Sequence, residues 1–356
     1  MRKMLVVHNI KWNQFETTIR TSNNVASWNI IVDNWQERTR VRQWSELNIN
    51  ECDDYHYVML ILLPEQNLEK MAKYLNIIRR PGRKYKVIVD IPDVVGWQMN
   101  PFLPQNKGFY MDIVSEADFV MHYSLPETES YWKAIMRDKP SYNINRHFPI
   151  EVAAGIMNED LPKAAATAKE YGLKHDEPYI FVGKSLKNIN EERNVICSFY
   201  VAHKIQKQTG WKVICFANNP LRHDVKDDYY KHICRLDNVI ELPVLEWRNY
   251  IRILKEYNFR IGIYMDYLET RGQVSLDCAS AGIPMVCSRS IAGRKLYPYT
   301  WLSESRDLDK ATKLGLRIIN DTEFSEEVKA YATKSIQQYS VKETKKKFEA
   351  MIGEKL

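Results

Sequence analysis

Glu269-Thr270-Arg271-Gly272-Gln273-Val274-Ser275-Leu276-Asp277-Cys278-Ala279-Ser280-Ala281-Gly282-Ile283-Pro284 decides how the chain is read. An apolar run, Arg260–Met265, precedes it and predicts a strand. The spacing within it predicts a helix over Val274–Ala281, and Met285–Ser288 predicts the next strand. In a parallel α/β sheet, ligands gather at the carboxyl ends of strands, where free N–H groups and the positive end of a helix dipole face them. Gly272 has no Cβ, so the backbone there can come close to an anion. A phosphate would accept hydrogen bonds from the N–H groups near Arg271, Gly272 and Gln273. Glu269 stands just before the helix and Asp277 about one and a half turns inside it. Carboxylates accept well from paired hydroxyls, such as those of a sugar or a ribose. Each acid alone also has a plainer reading: Glu269 as a helix-dipole partner and Asp277 as a solvated helix residue.

Outward from this stretch, short apolar runs alternate with longer helical patterns. Upstream in the same half, strands are expected at Tyr179–Val182, Lys212–Ala217 and Val239–Leu242, and helices at Val195–Thr209 and Glu246–Lys255. The first half carries its own series. Strands are expected at Met4–Val7, Ile30–Val32, Val58–Leu62, Lys86–Val89 and Phe119–His122, with helices at Leu68–Ile78 and Tyr110–Ala117. Strands alternating with helices imply parallel pairing in a sheet covered on both faces. Two such series imply two Rossmann-like domains with a cleft between them. The domains are placed at residues 1–150 and 163–338, joined near Pro149–Pro162. Past Asp307 the chain reads as helical to its end, and Val341, Phe348 and Ile352 share one helical stripe. Trp97, Phe102, Phe109 and Tyr110, among prolines, read as a long loop at the cleft mouth.

The quoted stretch resembles the nucleotide-sugar signature of the GT-B retaining glycosyltransferases, the large group related to glycogen and sucrose synthases (glycosyltransferase family 4-like, group 1). Glu269, Gly272, Asp277, Gly282, Pro284 and Val286 match that pattern in register. Arg271 stands where the pattern has an aromatic, Asp277 where it has a second glutamate, and Cys278 where it has an alanine. Asn238–Glu246 looks like the strand and turn whose backbone meets the base, here Leu242 to Leu245. Phe181-Val182-Gly183-Lys184 looks like the strand end whose basic residue meets the diphosphate. Ile189 stands where the pattern has its second basic residue, which leaves Lys187 or Arg193 to substitute. The glycine-rich loop after the first strand is missing, and the strand ending at Asp90-Ile91-Pro92-Asp93 carries no histidine.

The resemblance implies an α/β chain of two Rossmann-like domains facing across a cleft, with residues 339–356 returning as a helix to the N-terminal domain. It implies a hexosyl or related transfer from a nucleotide-diphosphate sugar of UDP or GDP type, with retention. Glu269 and Lys184 would act at the transferring sugar and the leaving diphosphate. Gly183, Lys187, Leu242, Leu245, Arg271, Gly272, Gln273 and Asp277 would hold the donor. On the acceptor side, Asp90, Asp93 and His122 are the candidates, and His147 is a further histidine within reach. The acceptor is open: a glycan, lipid, protein, small molecule or modified nucleic acid. Two other readings stand beside this one, a non-catalytic nucleotide- or carbohydrate-binding relative and a glycosyltransferase acting on modified DNA bases.

Composition sets the outer limits. The chain has 356 residues, 45% apolar and 27% charged, which is ordinary globular material for one large or two average domains. A net charge of +6, spread along the chain, suits an enzyme that handles phosphates. The one dense basic run, Lys345-Lys346-Lys347, fits a solvated helix face. The six cysteines contain no Cys-x-x-Cys pair, so reduced thiols in a cytoplasmic setting are expected. The longest apolar stretch, Tyr57–Leu63, is far below bilayer length, so no membrane span is expected and peripheral membrane contact is left open. Asp53-Asp54 and Asp227-Asp228 lie where aspartates commonly cap, and no essential metal or other cofactor is expected.

Overall fold

The computed structural model describes residues 2–8, 38–62, 67–91, 104–122, 129–148, 150, 167–183, 195–216, 235–243, 245 and 247–355. The chain divides into two compact units, Met1–Val152 with Val341–Leu356, and Ala153–Ser340. The strand expected at Ile30–Val32, the connection at 151–162, and Asp93, Lys184, Lys187, Asp227 and Asp228 lie outside the described residues.

In the first unit the described strands are β1 (Arg2–His8), β2 (Thr39–Gln43), β3 (Tyr55–Ile61), β4 (Lys86–Ile91), β5 (Phe119–His122) and β6 (His147–Phe148). They pair in parallel in the order β2-β1-β3-β4-β5-β6. Continuous apolar runs such as Met4–Val7 and Val58–Ile61 form strands because side chains alternate faces and both faces are covered. On one face Leu5, Val7, Val58, Leu60, Val87 and Val89 pack with the helices α1 (Leu68–Ile78) and α2 (Pro104–Glu116) and with Trp132 of α3 (Glu129–Ile135). Asn67 starts α1 by accepting from the Lys70 N–H at 3.1 Å. On the other face Met4, Val6, Met59, Ile88 and Met121 need a cover of their own. The last helix of the chain supplies it, through Phe348, Met351 and Ile352. The Tyr57 hydroxyl donates to the Ile352 carbonyl at 3.3 Å, and Lys3 pairs with Glu354. The C-terminal helix therefore returns to the N-terminal domain.

Two expectations differ here. Phe109 and Tyr110 lie on α2, not in a loop, and Tyr110 is buried with its ring stacked 6.5 Å from Trp132. β2 was not anticipated, because its sequence Thr-Arg-Val-Arg-Gln buries only Val41.

The second unit opens with the short α4 (Thr167–Glu170) and β7 (Tyr179–Val182). It continues with α5 (Val195–Thr209), β8 (Lys212–Phe216), β9 (Val239–Leu242), α6 (Trp247–Glu256), β10 (Phe259–Thr270) and α7 (Gln273–Ser280). Then come β11 (Met285–Ser290), α8 (Ile291–Leu296), β12 (Trp301–Leu302), α9 (Leu308–Asn320), α10 (Thr322–Ser335) and, back in the first unit, α11 (Val341–Ile352). The parallel order is β12-β11-β10-β7-β8-β9. The chain starts at β7, moves outward through β8 and β9, then crosses to β10 on the other side. The β7/β10 junction is therefore the topological switch point, where open α/β sheets bind ligands. The βα series also runs past Ser288, where the sequence reading ended it. A two-residue edge strand such as β12 gives no alternation to detect.

Candidate functional site

Local geometry at the switch point is set by two glycines. Gly272 has φ +88° and ψ 44°, a left-handed conformation that L-residues rarely adopt, and it forms the N-cap of α7 without a side-chain cap. Its carbonyl accepts from Ser275 N–H at 2.9 Å and Leu276 N–H at 3.2 Å. By helix geometry the N–H groups ahead of these, on Gln273 and Val274, have no intrahelical acceptor. The space beside Gly272 is also closed: a Cβ there would lie 2.7 Å from Ser290 Cβ and 3.2 Å from Ala292 Cβ. Gly183 follows β7, and a Cβ on it would lie 2.5 Å from both methyls of Val274. A side chain at either place would push the first turn of α7 away from the strand ends. The two glycines thus bring the end of β7, the end of β10 and the amino terminus of α7 together.

The acids differ in placement. Glu269 is exposed at the end of β10. Asp277 is buried at 2% exposure, not solvated on the helix surface. It accepts from Gln273 Nε2 at 2.8 Å, one turn before it, and from the Tyr250 hydroxyl of α6 at 3.1 Å. Burial, reinforced by the Asp277 charge, pushes the Tyr250 hydroxyl well above its ordinary range, so it stays a donor. Tyr250 is held edge-on to Phe216, ring centroids 4.7 Å apart. Arg271 is buried, and its carbonyl accepts from Ala292 N–H at 3.0 Å. Leu242 is fully buried at the end of β9, and Leu245 is half-buried. The structure therefore gathers Gly183, Glu269, Arg271, Gly272, Gln273 and Asp277 around one strand–helix junction.

Sequence reasoning missed three residues here. Tyr250 fixes Asp277 from a helix 27 positions upstream, a pairing that no local spacing announces. Asp266, fully buried, accepts from the Thr270 hydroxyl, while its carbonyl accepts from Ser288 Oγ at 2.9 Å. An aspartate ending an apolar strand was the available signal. Ser290 caps α8 through Gly293 N–H at 3.0 Å and lies 3.3 Å from Ser275 Oγ.

On the N-terminal sheet, Asp90 and His122 end neighbouring strands, in register with Met121 and Ile91 respectively. Side chains alternate along a strand, so the two leave the sheet on opposite faces. His122 is fully buried beside Trp132, and its Nε2 lies 3.1 Å from His147 Nδ1. Burial lowers both imidazoles, His122 well below its ordinary range with help from His147, and His147 to about 4. The pair is neutral at pH 7, one ring donating and the other accepting. Among the described residues no three histidine, cysteine, aspartate or glutamate side chains converge as a metal site, and no described helix is long and apolar enough to cross a membrane.

The sequence matches no family model and no curated protein. Solved structures, in contrast, match almost end to end. α,α-Trehalose 6-phosphate synthase from Burkholderia multivorans has a TM-score of 0.65 at 9% identity, over 99% of this chain and 98% of that one. HepE from Anabaena, in complex with UDP-glucose, has 0.64 at 9% identity, over 99% and 100%. The lipopolysaccharide outer core galactosyltransferase WaaB has 0.59 at 13% identity, over 99% of each. The architecture also carries a putative UDP-N-acetylglucosamine 2-epimerase from Listeria monocytogenes, with 0.58 at 9% identity, over 98% and 95%. Two parallel α/β domains, a C-terminal helix returned to the first, and near-complete coverage by these neighbours give the chain the fold of the GT-B glycosyltransferases.

Proposed function

We propose that the chain transfers a sugar from a nucleotide-diphosphate sugar, of UDP or GDP type, to an acceptor with retention of configuration. The observation that carries this reading is the junction at Gly272: an uncapped helix amino terminus closed against two strand ends, with the exposed Glu269 three residues ahead of it. Such a terminus offers unpaired N–H donors and a positive dipole to a diphosphate. As the bond to the sugar breaks, charge grows on the leaving diphosphate. Fixed donors at Gly272, Gln273 and Val274 stabilise that charge without reorganising. Lys184, next after Gly183, adds a point charge, with Lys187 beyond it. Glu269 accepts from sugar hydroxyls. Leu242 to Leu245 flank the base. Asp277 acts one side chain back, orienting the Gln273 amide toward the ligand. No side chain is assigned as a nucleophile, and no metal is invoked.

Thermal melting of the full chain with UDP, GDP, UDP-glucose and GDP-mannose tests the binding. A ligand at one hundred times its dissociation constant adds about 2.7 kcal/mol to the folded state. Nucleotide release from the stabilising donor, parent against Glu269→Gln, then tests the chemistry. The reading fails if none of the four ligands raises the melting temperature, or if Glu269→Gln releases nucleotide at the parental rate.

A second reading, a relative that binds nucleotide sugars without transfer, is favoured by one observation. Asp277 is 2% exposed and both its oxygens already accept from protein donors, which argues against the ribose contact implied by the resemblance. Donor binding with no nucleotide release across many acceptors would select this reading.

A further inference from the structure

Arg289 is an arginine in a conformation that arginine rarely takes. Its φ is 51°, in the left-handed region, where a Cβ costs about 1–2 kcal/mol. Strain of this kind persists only where the surroundings over-determine it, and it gathers at ligand sites. The surroundings here are explicit. Ser288 and Ser290, on either side, are both buried. Ser288 Oγ donates to the Asp266 carbonyl at 2.9 Å, and Ser290 Oγ accepts from Gly293 N–H at 3.0 Å. Between these two anchors Arg289 alone is turned out to solvent.

The pairing of β10 with β11 says what it faces. Met265 pairs with Ser288 and Thr270 with Ser290, so Arg289 is the single β11 residue opposite the bulged segment Asp266–Glu269. Glu269 and Arg289 are thus both exposed at adjoining strand ends, and among the described residues neither makes an ion pair. Tyr267 of the same bulge is exposed, and Arg306, in the turn after β12, stacks over its ring at 5.0 Å and donates to its hydroxyl at 3.1 Å. The acids Glu304 and Asp307 accept from the N–H groups of Arg306 and Lys310 at 3.1 Å each. Three neighbouring strand ends, β10, β11 and β12, are therefore followed or finished by an arginine: Arg271, Arg289 and Arg306. This side of the sheet lies away from β9, beside which the base is proposed to lie.

We propose that Arg289 reads a negative charge, a phosphate or a carboxylate, carried by the sugar being moved or by the group that receives it. This rests on the donor reading in one respect only, the placing of the sugar at Glu269. A guanidinium fits both anions through paired N–H donors.

The test uses the full chain, parent and Arg289→Gly, with four probes titrated by calorimetry. UDP-glucuronate against UDP-glucose asks whether the charge sits on the donor sugar. Glucose 6-phosphate against glucose asks whether it sits on the acceptor. The parent should bind the anionic member of one pair at least about tenfold more tightly than its neutral partner. Arg289→Gly should abolish that preference and leave UDP binding unchanged. Glycine suits a φ of 51°, so the variant should melt no lower than the parent, which separates lost binding from lost folding. The proposal is overturned if the parent prefers neither anionic probe, or if the preference survives in Arg289→Gly. If UDP itself fails to bind the parent, the donor reading falls, and the glucose 6-phosphate pair still decides the role of Arg289.

Discussion

Replacing Gly272 by alanine tests the junction on which the site depends. The change introduces two separable costs. A non-glycine residue at φ +88° carries the left-handed penalty of about 1–2 kcal/mol. The new Cβ also meets Ser290 Cβ at 2.7 Å, Ser290 Oγ at 2.9 Å and Ala292 Cβ at 3.2 Å. Relieving such overpacking costs about 1–3 kcal/mol. Ser290 cannot yield cheaply, because its hydroxyl caps α8. The sum is about 2–5 kcal/mol, centred near 3. For a domain of this size each kcal/mol lowers the melting temperature by about 2–4 °C, so a fall of about 6–12 °C is expected. Gly282→Ala is the matched control. Its φ is +70° as well, but the nearest atom to a new Cβ is Lys329 Cε at 3.6 Å, an ordinary contact on a flexible side chain. Only the backbone penalty remains, about 1–2 kcal/mol centred near 1.5, which is about 3–6 °C by the same conversion. Melting followed by circular dichroism measures both. Equal falls for the two variants, or a fall of less than about 2 °C for Gly272→Ala, would refute the closed packing around Gly272.

Tyr250→Phe should lower stability by about 1–3 kcal/mol, read from the urea midpoint, because Asp277 stays buried and loses a donor; an unchanged midpoint would mean that the bond contributes nothing. Phe348→Ala should cost about 3–5 kcal/mol in unfolding of the first unit, since Phe348 is 1% exposed against the sheet; hydrogen exchange would show the loss on β1 and β3, and uniform exchange elsewhere would contradict it. The histidine pair predicts a pH dependence. An unfolded imidazole takes its proton near pH 6.5, whereas His147 holds off until about 4 and His122 is likewise held well below its ordinary range. Between those values the unfolded chain binds more protons, so this contribution is fully present above about pH 6.5 and is lost as pH falls toward 4. His147→Asn should flatten the decline of melting temperature from pH 6.5 to 4.5, and an unaltered slope would place the titration elsewhere.

The strands with continuous apolar runs were legible because burial on both faces removes the need for alternation. Val41 alone is buried in β2, and β12 has two residues, so neither carried that signal. The candidate site divides in the same way. Glu269, Gly272 and Asp277 could be named from one continuous stretch and its resemblance to a nucleotide-sugar signature, since strand, turn and helix follow one another along the chain. What surrounds them could not. Tyr250 reaches Asp277 from the adjacent helix α6, and Ser290 closes the space at Gly272 from the next strand end. Both are consequences of the parallel βα arrangement, which sets residues 18 and 27 positions apart side by side.

Arg289 carries this furthest. In sequence it is one more polar residue after an apolar strand, and alternation alone would let it continue β11. Its left-handed turn stands opposite four residues of β10, Asp266–Glu269, and Thr270 and Ser290 still pair beyond it. Glu269, within the bulge, and Arg289, opposite it, are both exposed. Acid and base are exposed together at one irregularity of register, so a change that straightens β10 should move both. An acid and a proposed anion-reading base that flank one register shift are more constrained than two exposed residues that happen to be near. That is why the register shift, more than either charge, argues that this strand end is built to hold a ligand.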